Sequence, residues 1–156
     1  MIFIVNTNYI NINYNNYCEN INEKYIEIIK NDKKNKMLID SFDDNINDEN
    51  ITSFIIFRKI ILNNEIKFII LLMGVNKEIR NYGYGKYILD EFINKIILSK
   101  SKKDINLYIH AVDSSINFFI NYGFEKIEYC NFLKNYEGWN KENNNNKLLF
   151  KYKVKK

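Results

Sequence analysis

The residues most suited to binding chemistry form a glycine-bearing segment, Arg-Asn-Tyr-Gly-Tyr-Gly, at positions 80–85. This segment follows a run of β-branched residues that predicts a strand and precedes an apolar periodic run that predicts a helix. Glycine allows the backbone to approach a ligand closely, and the first turn of a helix offers N–H groups without intrahelical acceptors. The segment therefore predicts an anion site suited to a pyrophosphate, in which backbone amides bind and Arg80 and Lys86 add charge.

The same segment lacks the marks of the common nucleotide-binding loops. Ile88 stands where the third glycine of G-x-G-x-x-G belongs, and the lysine pattern of a P-loop is absent. The alternative interpretation is an ordinary glycine loop between a strand and a helix, and the motif alone leaves both open.

The surrounding sequence predicts the elements that position this loop. Two β-branched runs, at 51–62 and 65–75, flank Asn63 and Asn64 and predict a β-hairpin. The amphipathic run at 86–98 predicts the helix after the loop. Further strands are predicted at 1–12, 105–112, 125–133 and 147–154, and further helices at 18–31, with Asn20 and Glu23 spaced like a helix start, and at 113–122, capped by Asp113 or Ser114 and ended by Gly123.

Two Asn-rich, charged stretches, 31–50 and 138–146, predict exposed and flexible loops. With these loops set aside, strands and helices alternate along the chain. That order predicts an α/β (α+β) protein with a mixed sheet and helices packed on it.

Composition limits the class of protein. The 156 residues suit one domain, 1–156, and the 46% hydrophobic content argues against disorder throughout. The net charge of +4 comes from scattered lysines, so direct nucleic-acid binding is not predicted. No apolar stretch reaches the roughly 18 residues of a membrane span. Two distant cysteines, Cys18 and Cys130, predict reduced thiols in a cytosolic protein, not a disulfide or a metal site.

Two segments carry a resemblance to a known family. The segment LMGVNKEIRNYGYGKYIL, at 72–89, resembles the coenzyme A-binding motif of the GNAT superfamily of N-acetyltransferases. The segment SINFFINYGF, at 115–124, resembles the second signature of that superfamily, A-I-x-F-Y-x-x-x-G-F. The resemblance covers roughly residues 51–154. It implies the GNAT fold, a mixed and mostly antiparallel sheet with splayed central strands and helices on both faces, and acetyl-CoA as the cofactor.

The resemblance also implies where the cofactor lies. The strands at 66–75 and 105–112 would splay apart to hold the pantetheine arm, and the loop after the first of them would hold the pyrophosphate. The helix at 113–122 would flank the thioester end. The implied cofactor-binding residues are Met73, Gly74, Val75, Arg80, Asn81, Tyr82, Gly83, Tyr84, Gly85, Lys86, Ser114, Asn117 and Phe118.

The catalytic positions depart from the family pattern. Phe119 stands where many relatives carry a tyrosine that protonates the leaving thiolate, and Ile69 stands where relatives often carry a Glu or Tyr base. His110, the only histidine, is the best replacement base, because its ordinary pKa of about 6.5 suits proton removal near neutral pH. Tyr108 shares its strand face by the period of two. Packing is the alternative role for both His110 and Tyr108.

The acceptor is predicted less sharply than the cofactor. The segments at 20–29, 107–111 and 124–128 resemble protein N-alpha-acetyltransferases of the San/NatE kind, although their Phe-Pro-Val-x-Tyr segment is absent. The implied acceptor is a primary amine of a protein N-terminus or lysine, with an amino sugar as the alternative. The late segment that usually borders the acceptor contains Tyr129, Tyr136 and Glu137.

Several alternatives remain at this point. A glucosamine-6-phosphate N-acetyltransferase and a histone lysine acetyltransferase share local features with this sequence. A non-catalytic acyl-CoA-binding module would explain the missing acid and base groups. A monomer or homodimer in the cytoplasm or nucleus is expected.

Overall fold

The structure is a computed structural model that describes residues 1–9, 11–19, 21–97, 102–111, 113–128 and 148–155. Within these residues the strands form one mixed sheet in the order β1-β2-β3-β4-β5-β7-β6. The strands are β1 (Ile2–Asn6), β2 (Lys36–Ser41), β3 (Ile51–Ile61), β4 (Glu65–Val75), β5 (Asp104–Ala111), β6 (Glu125–Lys126) and β7 (Leu148–Lys153). The helices are α1 (Glu23–Asn31), α2 (Tyr84–Ile97) and α3 (Ile116–Tyr122), with 3-10 turns at Tyr14–Asn16, Lys77–Ile79 and Asp113–Ser115.

The predicted β-hairpin is confirmed at the centre of this sheet. Strands β3 and β4 pair antiparallel from Ile61 and Ile66 at the turn to Ser53 and Val75 at the far end. The Leu62 N–H donates to the Glu65 carbonyl at 2.8 Å and closes the turn. The other described pairs are also antiparallel, except β4 with β5, which run parallel. The predicted mixed and mostly antiparallel sheet is therefore confirmed.

The prediction of a loop across 31–50 was wrong for its middle part. Lys36–Ser41 form β2, which pairs with β1 on one side and β3 on the other. Met37, Leu38 and Ile39 are fully buried. Charged and Asn-rich sequence flanks these three apolar residues, so the composition of the stretch did not indicate a strand. Burial from both faces is what holds it in the sheet.

Helices cover both faces of the sheet, as predicted. One core joins the sheet to α2 and α3 and includes Phe57, Phe68 and Phe92. The other core joins it to α1 and includes Tyr25 and Ile29. We call these two sides the α2 face and the α1 face. Burying both faces explains why β3 and β4 read as nearly continuous apolar runs.

The helix ends differ in detail from the sequence prediction. Helix α1 is capped by Asn22, whose side chain accepts from the Tyr25 N–H at 3.1 Å, while the predicted Asn20 lies outside the described residues. Helix α3 follows a 3-10 turn, and Ser115 precedes it with no side-chain cap bond, so neither Asp113 nor Ser114 is the cap. Gly123, with φ of +121°, ends α3 as predicted, since glycine tolerates that backbone conformation.

The late part of the chain is described only at its edges. Strand β6, Glu125–Lys126, pairs with β7. Its two residues lie within the predicted strand at 125–133. Residues 129–147, which contain the predicted loop at 138–146, lie outside the described residues. Among the described helices, none combines the length and apolarity needed to cross a bilayer.

Candidate functional site

The central feature of the sheet is a fork between β4 and β5. Their parallel ladder runs from Glu65 and Asp104 to Ile70 and Ile109, where pairing within the described residues stops. Beyond that point β4 continues to Val75 along β3 alone. The end of β5 continues along β7. Two neighbouring strands therefore separate at their carboxyl ends, which confirms the predicted splay.

A β-bulge on β4 coincides with the start of the fork. Ile56 pairs with Leu72 and Phe57 pairs with Ile70, so Leu71 is an additional residue on β4. Bulges bend a strand and increase its twist, which directs β4 away from β5. The Tyr25 hydroxyl in α1 donates to the Leu71 carbonyl at 2.6 Å. Burial raises the pKa of the Tyr25 phenol well above its ordinary value, so the group remains a hydrogen-bond donor.

The register shows which backbone groups face the fork. The Asn76 N–H donates to the Thr52 carbonyl at 2.8 Å, so this is a hydrogen-bonded position of the β3–β4 ladder. Such positions alternate along an antiparallel ladder. The backbone groups of Met73 and Val75 consequently point away from β3 and into the fork. These are two of the predicted cofactor-binding residues.

Gly74, the predicted residue between them, has a packing role on the α1 face. A Cβ at Gly74 would lie 2.8 Å from the Tyr17 Cβ and 2.9 Å from the Cys18 Sγ, which real Cβ atoms do not tolerate. The Cys18 Sγ also lies 3.6 Å from the Met73 carbonyl oxygen. Glycine at 74 therefore lets the chain around Tyr17 and Cys18 lie directly on the open half of β4.

The glycine loop leads from the fork into α2. The Tyr87 N–H donates to the Gly83 carbonyl at 3.0 Å, which is the first bond of the helix. The amides of Tyr84, Gly85 and Lys86 precede that bond and have no acceptor in the helix's own bonding pattern. Gly83, with φ of +86°, has no heavy atom within 4 Å of a hypothetical Cβ, so a ligand can approach there.

The rest of the loop is open to solvent, except where α3 touches it. Asn81, with φ of 70°, and Tyr82, 80% exposed, lie on the surface. A Cβ at Gly85 would lie 3.3 Å from the Phe118 ring of α3. Ser114, in the 3-10 turn before α3, and Asn117, in the first turn of α3, are exposed. The first turns of α2 and α3 thus adjoin, with small and polar groups at their surface.

The two cations of the loop are both paired with carboxylates. Arg80 donates from one nitrogen to Glu19 Oε1 at 2.9 Å and from another to the Tyr17 carbonyl at 2.7 Å. Lys86 donates to Asp90 Oδ2 at 2.9 Å. Each cation thus has a carboxylate partner, and its predicted contribution to an anion site stays a prediction. The backbone amides at the start of α2 are the other predicted anion-binding groups.

Asp90 also accepts from the Tyr122 hydroxyl at 2.7 Å, which ties α2 to α3. Burial alone would raise the pKa of Asp90, but the bonds from Lys86 and Tyr122 and the charge of Lys86 bring it below its ordinary value. Burial and then Asp90 raise the pKa of the Tyr122 phenol. The pair therefore functions as a carboxylate accepting from a neutral phenol.

His110 lies where the fork begins. It is the first residue of β5 beyond the last pair with β4, and it pairs with Leu149 of β7. Its neighbours Ile109 and Ala111 belong to the core of the α2 face, so the His110 side chain lies on the α1 face. It is half-buried. A base at this position faces the side of the fork opposite to α2.

Tyr108 shares that face but its hydroxyl points elsewhere. It donates to Glu65 Oε1 at 2.9 Å, at the first residue of β4, far from the fork. Asn106 donates to the same oxygen at 2.6 Å, and the Lys67 ammonium lies 5.2 Å from the Tyr108 ring centroid. The geometry therefore does not bring the Tyr108 hydroxyl to the fork, and the prediction of a catalytic role for it loses its support.

The remaining predicted positions separate into two groups. Ile69 is fully buried and Phe119 is buried against Phe124, with ring centroids 5.2 Å apart, so both belong to the core. Tyr129, Tyr136 and Glu137 lie outside the described residues. Their predicted contact with an acceptor stays a prediction.

Sequence reasoning missed the residues that stabilise the fork from the α1 face. The helix at 18–31 was predicted, but the bond from the hydroxyl of Tyr25, on its buried face, to the Leu71 carbonyl was not. Cys18 was predicted only as a reduced thiol, without its contact to the Met73 carbonyl. The available signal was that Tyr25 is the one residue with a polar tip on that helix face.

Comparison with known proteins establishes the fold. No family model matches the chain, and no curated protein matches it in sequence. Among solved structures, Tetrahymena Gcn5 is 16% identical with a TM-score of 0.62, covering 86% of this chain and 78% of that one. A putative N-acetyltransferase from Lactobacillus plantarum is 9% identical with a TM-score of 0.60, covering 88% and 81%.

Naa50 of Arabidopsis thaliana, solved with the bisubstrate analogue CoA-Ac-MVNAL, is 17% identical with a TM-score of 0.52, covering 85% of this chain and 81% of that one. Identities this low show the fold alone. The chain therefore has the GNAT fold, and the fork between β4 and β5 is part of it.

Proposed function

We propose that this protein transfers the acetyl group of acetyl-CoA to a primary amine of a protein or peptide. The observation that carries the proposal is the fork, which opens beside the first turn of α2. Backbone groups of Met73 and Val75 point into the fork, and the backbone amides of the first turn of α2 lie at its end. That arrangement suits an elongated ligand with amides in its arm and a pyrophosphate farther along.

The residues present fit this cofactor. The pantetheine arm has amide groups that can pair with the backbone of Met73 and Val75, as an added strand would. The amides at the start of α2 suit a pyrophosphate, and Gly83 gives it room. Acetyl-CoA would supply an activated acetyl thioester.

The chain's own residues would then supply proximity, a base and a hydrogen-bond donor. An amine reaching the fork from the α1 face meets His110, whose imidazole can take the proton of the ammonium directly or through water. A backbone N–H in the fork can polarise the acetyl carbonyl. Phe119 and Ile69 carry no titratable group, so His110 is the residue we assign to proton removal.

A protein or peptide amine is the acceptor we favour. The three segments that resemble N-alpha-acetyltransferases include two that the structure places at the fork, α1 with Tyr25 and the end of β5 with His110. The Naa50 structure contains an analogue that joins CoA to a peptide. Together these support a peptide acceptor on the α1 face.

A second candidate, a non-catalytic acyl-CoA-binding module, is favoured by one observation. The positions of the usual acid and base are apolar and buried, at Phe119 and Ile69. The two candidates differ in turnover and share cofactor binding. They are therefore separated by an assay, not by a binding measurement.

The experiment combines the purified full chain with acetyl-CoA and three acceptors. These are the peptide Met-Val-Asn-Ala-Leu, a lysine-bearing histone-tail peptide and glucosamine 6-phosphate, with release of the CoA thiol as the readout. We expect thiol release with the first peptide and loss of it in His110→Ala. Binding of CoA without turnover on any acceptor would support the module, and absence of CoA binding would overturn both candidates.

A further inference from the structure

Arg80 points out of the glycine loop, toward the α1 face. Its two hydrogen bonds end on Glu19 and on the Tyr17 carbonyl, at 2.9 and 2.7 Å. Both partners belong to a stretch at the amino-terminal end of the chain, residues 14–19, which we call the 14–19 segment. A guanidinium that binds a carboxylate and a carbonyl at once is held in a fixed orientation. These two bonds hold the Arg80 side chain against this segment.

The 14–19 segment lies directly on the open half of β4. The Tyr17 Cβ and the Cys18 Sγ occupy the space that a side chain at residue 74 would need. The Cys18 Sγ lies 3.6 Å from the Met73 carbonyl oxygen, and the Tyr17 hydroxyl donates to the Asp48 carbonyl at 2.8 Å. The segment is thus a wall of the fork on the face where His110 lies.

We infer that Arg80 is a positioning residue that fastens the 14–19 segment over β4 and thereby shapes the acceptor's approach. This inference rests on the proposed function. The exposed ion pair with Glu19 contributes little alone, since water screens it. The charged bond to the Tyr17 carbonyl is partly buried and supplies most of the restraint. Loss of Arg80 should therefore impair acceptor use more than cofactor binding.

Lys86 provides a matched control within the same loop. It carries the same charge, but its partner Asp90 lies one turn further along α2. Its side chain is 71% exposed, and the ion pair shares no residue with the 14–19 segment. Removing Lys86 changes the charge of the loop by the same amount as removing Arg80. Any difference between the Arg80 and Lys86 variants therefore reports on how Arg80 holds the 14–19 segment, not on the charge of the loop.

The first test compares Arg80→Gln with Lys86→Gln by calorimetric CoA binding and by the KM for Met-Val-Asn-Ala-Leu. For Arg80→Gln we expect the CoA Kd to stay within about twofold and the peptide KM to rise about tenfold, as loss of a charged hydrogen bond would give. In Lys86→Gln, a predicted cofactor-binding position, any change should appear in the CoA Kd, and the peptide KM should rise much less than in Arg80→Gln. A tenfold weaker CoA Kd in Arg80→Gln with an unchanged peptide KM would overturn the inference.

The second test needs no acceptor. In a Cys130→Ser background Cys18 is the only thiol, because the chain has two cysteines. We expect a disulfide reagent to label Cys18 several-fold faster in Arg80→Gln, and less markedly in Glu19→Gln, with no change in Lys86→Gln. Equal rates in all forms, with unfolding midpoints unchanged, would overturn the inference. If wild-type protein binds no CoA, the proposed function fails, and the labelling still decides the fastening.

Discussion

The two halves of β4 differ in how their backbone is satisfied. The first half, Glu65–Ile70, pairs with β3 on one side and β5 on the other. The second half, Leu71–Val75, pairs with β3 alone among the described residues. The change occurs at one bulge, Leu71. A single added residue thus converts a central strand into an internal edge.

In the second half, side chains from the α1 face contact backbone groups that have no neighbouring strand. The Tyr25 hydroxyl donates to the Leu71 carbonyl, and the Cys18 thiol lies beside the Met73 carbonyl. Backbone groups removed from water need partners, and side chains or ligands supply them when a neighbouring strand does not. The fork is therefore a built feature, in which side chains of the α1 face contact the Leu71 and Met73 carbonyls while the Met73 and Val75 amides face the fork.

The largest contrast between the halves should appear in turnover. Replacing His110 with Ala at the fork should lower kcat by about 100-fold or more, because general-base catalysis contributes that much. Replacing Tyr108 with Phe in the paired half should leave kcat nearly unchanged, since its hydroxyl bonds Glu65. Steady-state kinetics with the peptide acceptor measures both. Equal losses of kcat in His110→Ala and Tyr108→Phe would contradict the assignment of proton removal to His110.

The next contrast concerns two glycines at the open half. Gly74→Ala places a Cβ 2.8 Å from the Tyr17 Cβ and should lower the free energy of unfolding by about 1–3 kcal/mol. Gly85→Ala meets the Phe118 ring at 3.3 Å and the Val75 Cγ2 at an ordinary contact distance of 3.7 Å, so it should cost less. Urea denaturation of both variants tests the order. A Gly74→Ala protein as stable as wild type would show that the 14–19 segment does not pack on β4 as described.

A smaller effect is expected from Tyr25→Phe. The variant leaves the buried Leu71 carbonyl without its phenol donor and should lower the free energy of unfolding by about 1–2 kcal/mol. The burial that raises the pKa of Tyr25 also keeps the phenol neutral at physiological pH, so the loss should be the same at pH 6 and pH 8. A urea midpoint equal to that of wild type at both pH 6 and pH 8 would contradict the role given to Tyr25.

The smallest effect concerns the contact between α2 and α3. The pKa of Asp90 is lower in the folded state than its unfolded value of about 3.9, so its stabilising contribution is present above that value. It is lost as the pH falls through the folded pKa. Asp90→Asn should therefore lose less stability than wild type between pH 5 and pH 2.5, measured by urea unfolding. The opposite order would contradict the Tyr122 and Lys86 contacts.

Sequence reasoning succeeded where local patterns determine structure. The hairpin followed from two β-branched runs around Asn63 and Asn64, and α2 from its apolar periodicity. The face of His110 followed from the two-residue period of a strand. Gly123 marked the end of α3 because its positive φ requires glycine.

Sequence reasoning failed where distant contacts decide. Strand β2 offers only three apolar residues, and it is held both by their burial and by pairing with two neighbouring strands. The bulge at Leu71 has no local signal, since it depends on the β3 register and on Tyr25. The partner of Arg80, Glu19, lies 61 positions away in sequence, so the pairing could not be read from the loop itself.

The most direct test of the fork is an NMR titration of the 15N-labelled full chain with CoA, in which the backbone amides of β4 are followed. We expect large chemical-shift changes and slowed hydrogen exchange at the amides of Met73, Val75 and Gly85 on saturation. The amides of Phe68 and Ile70, in the paired half, should stay unchanged. Saturating CoA that leaves Met73 and Val75 unaffected, or that perturbs only the paired half, would contradict the central claim.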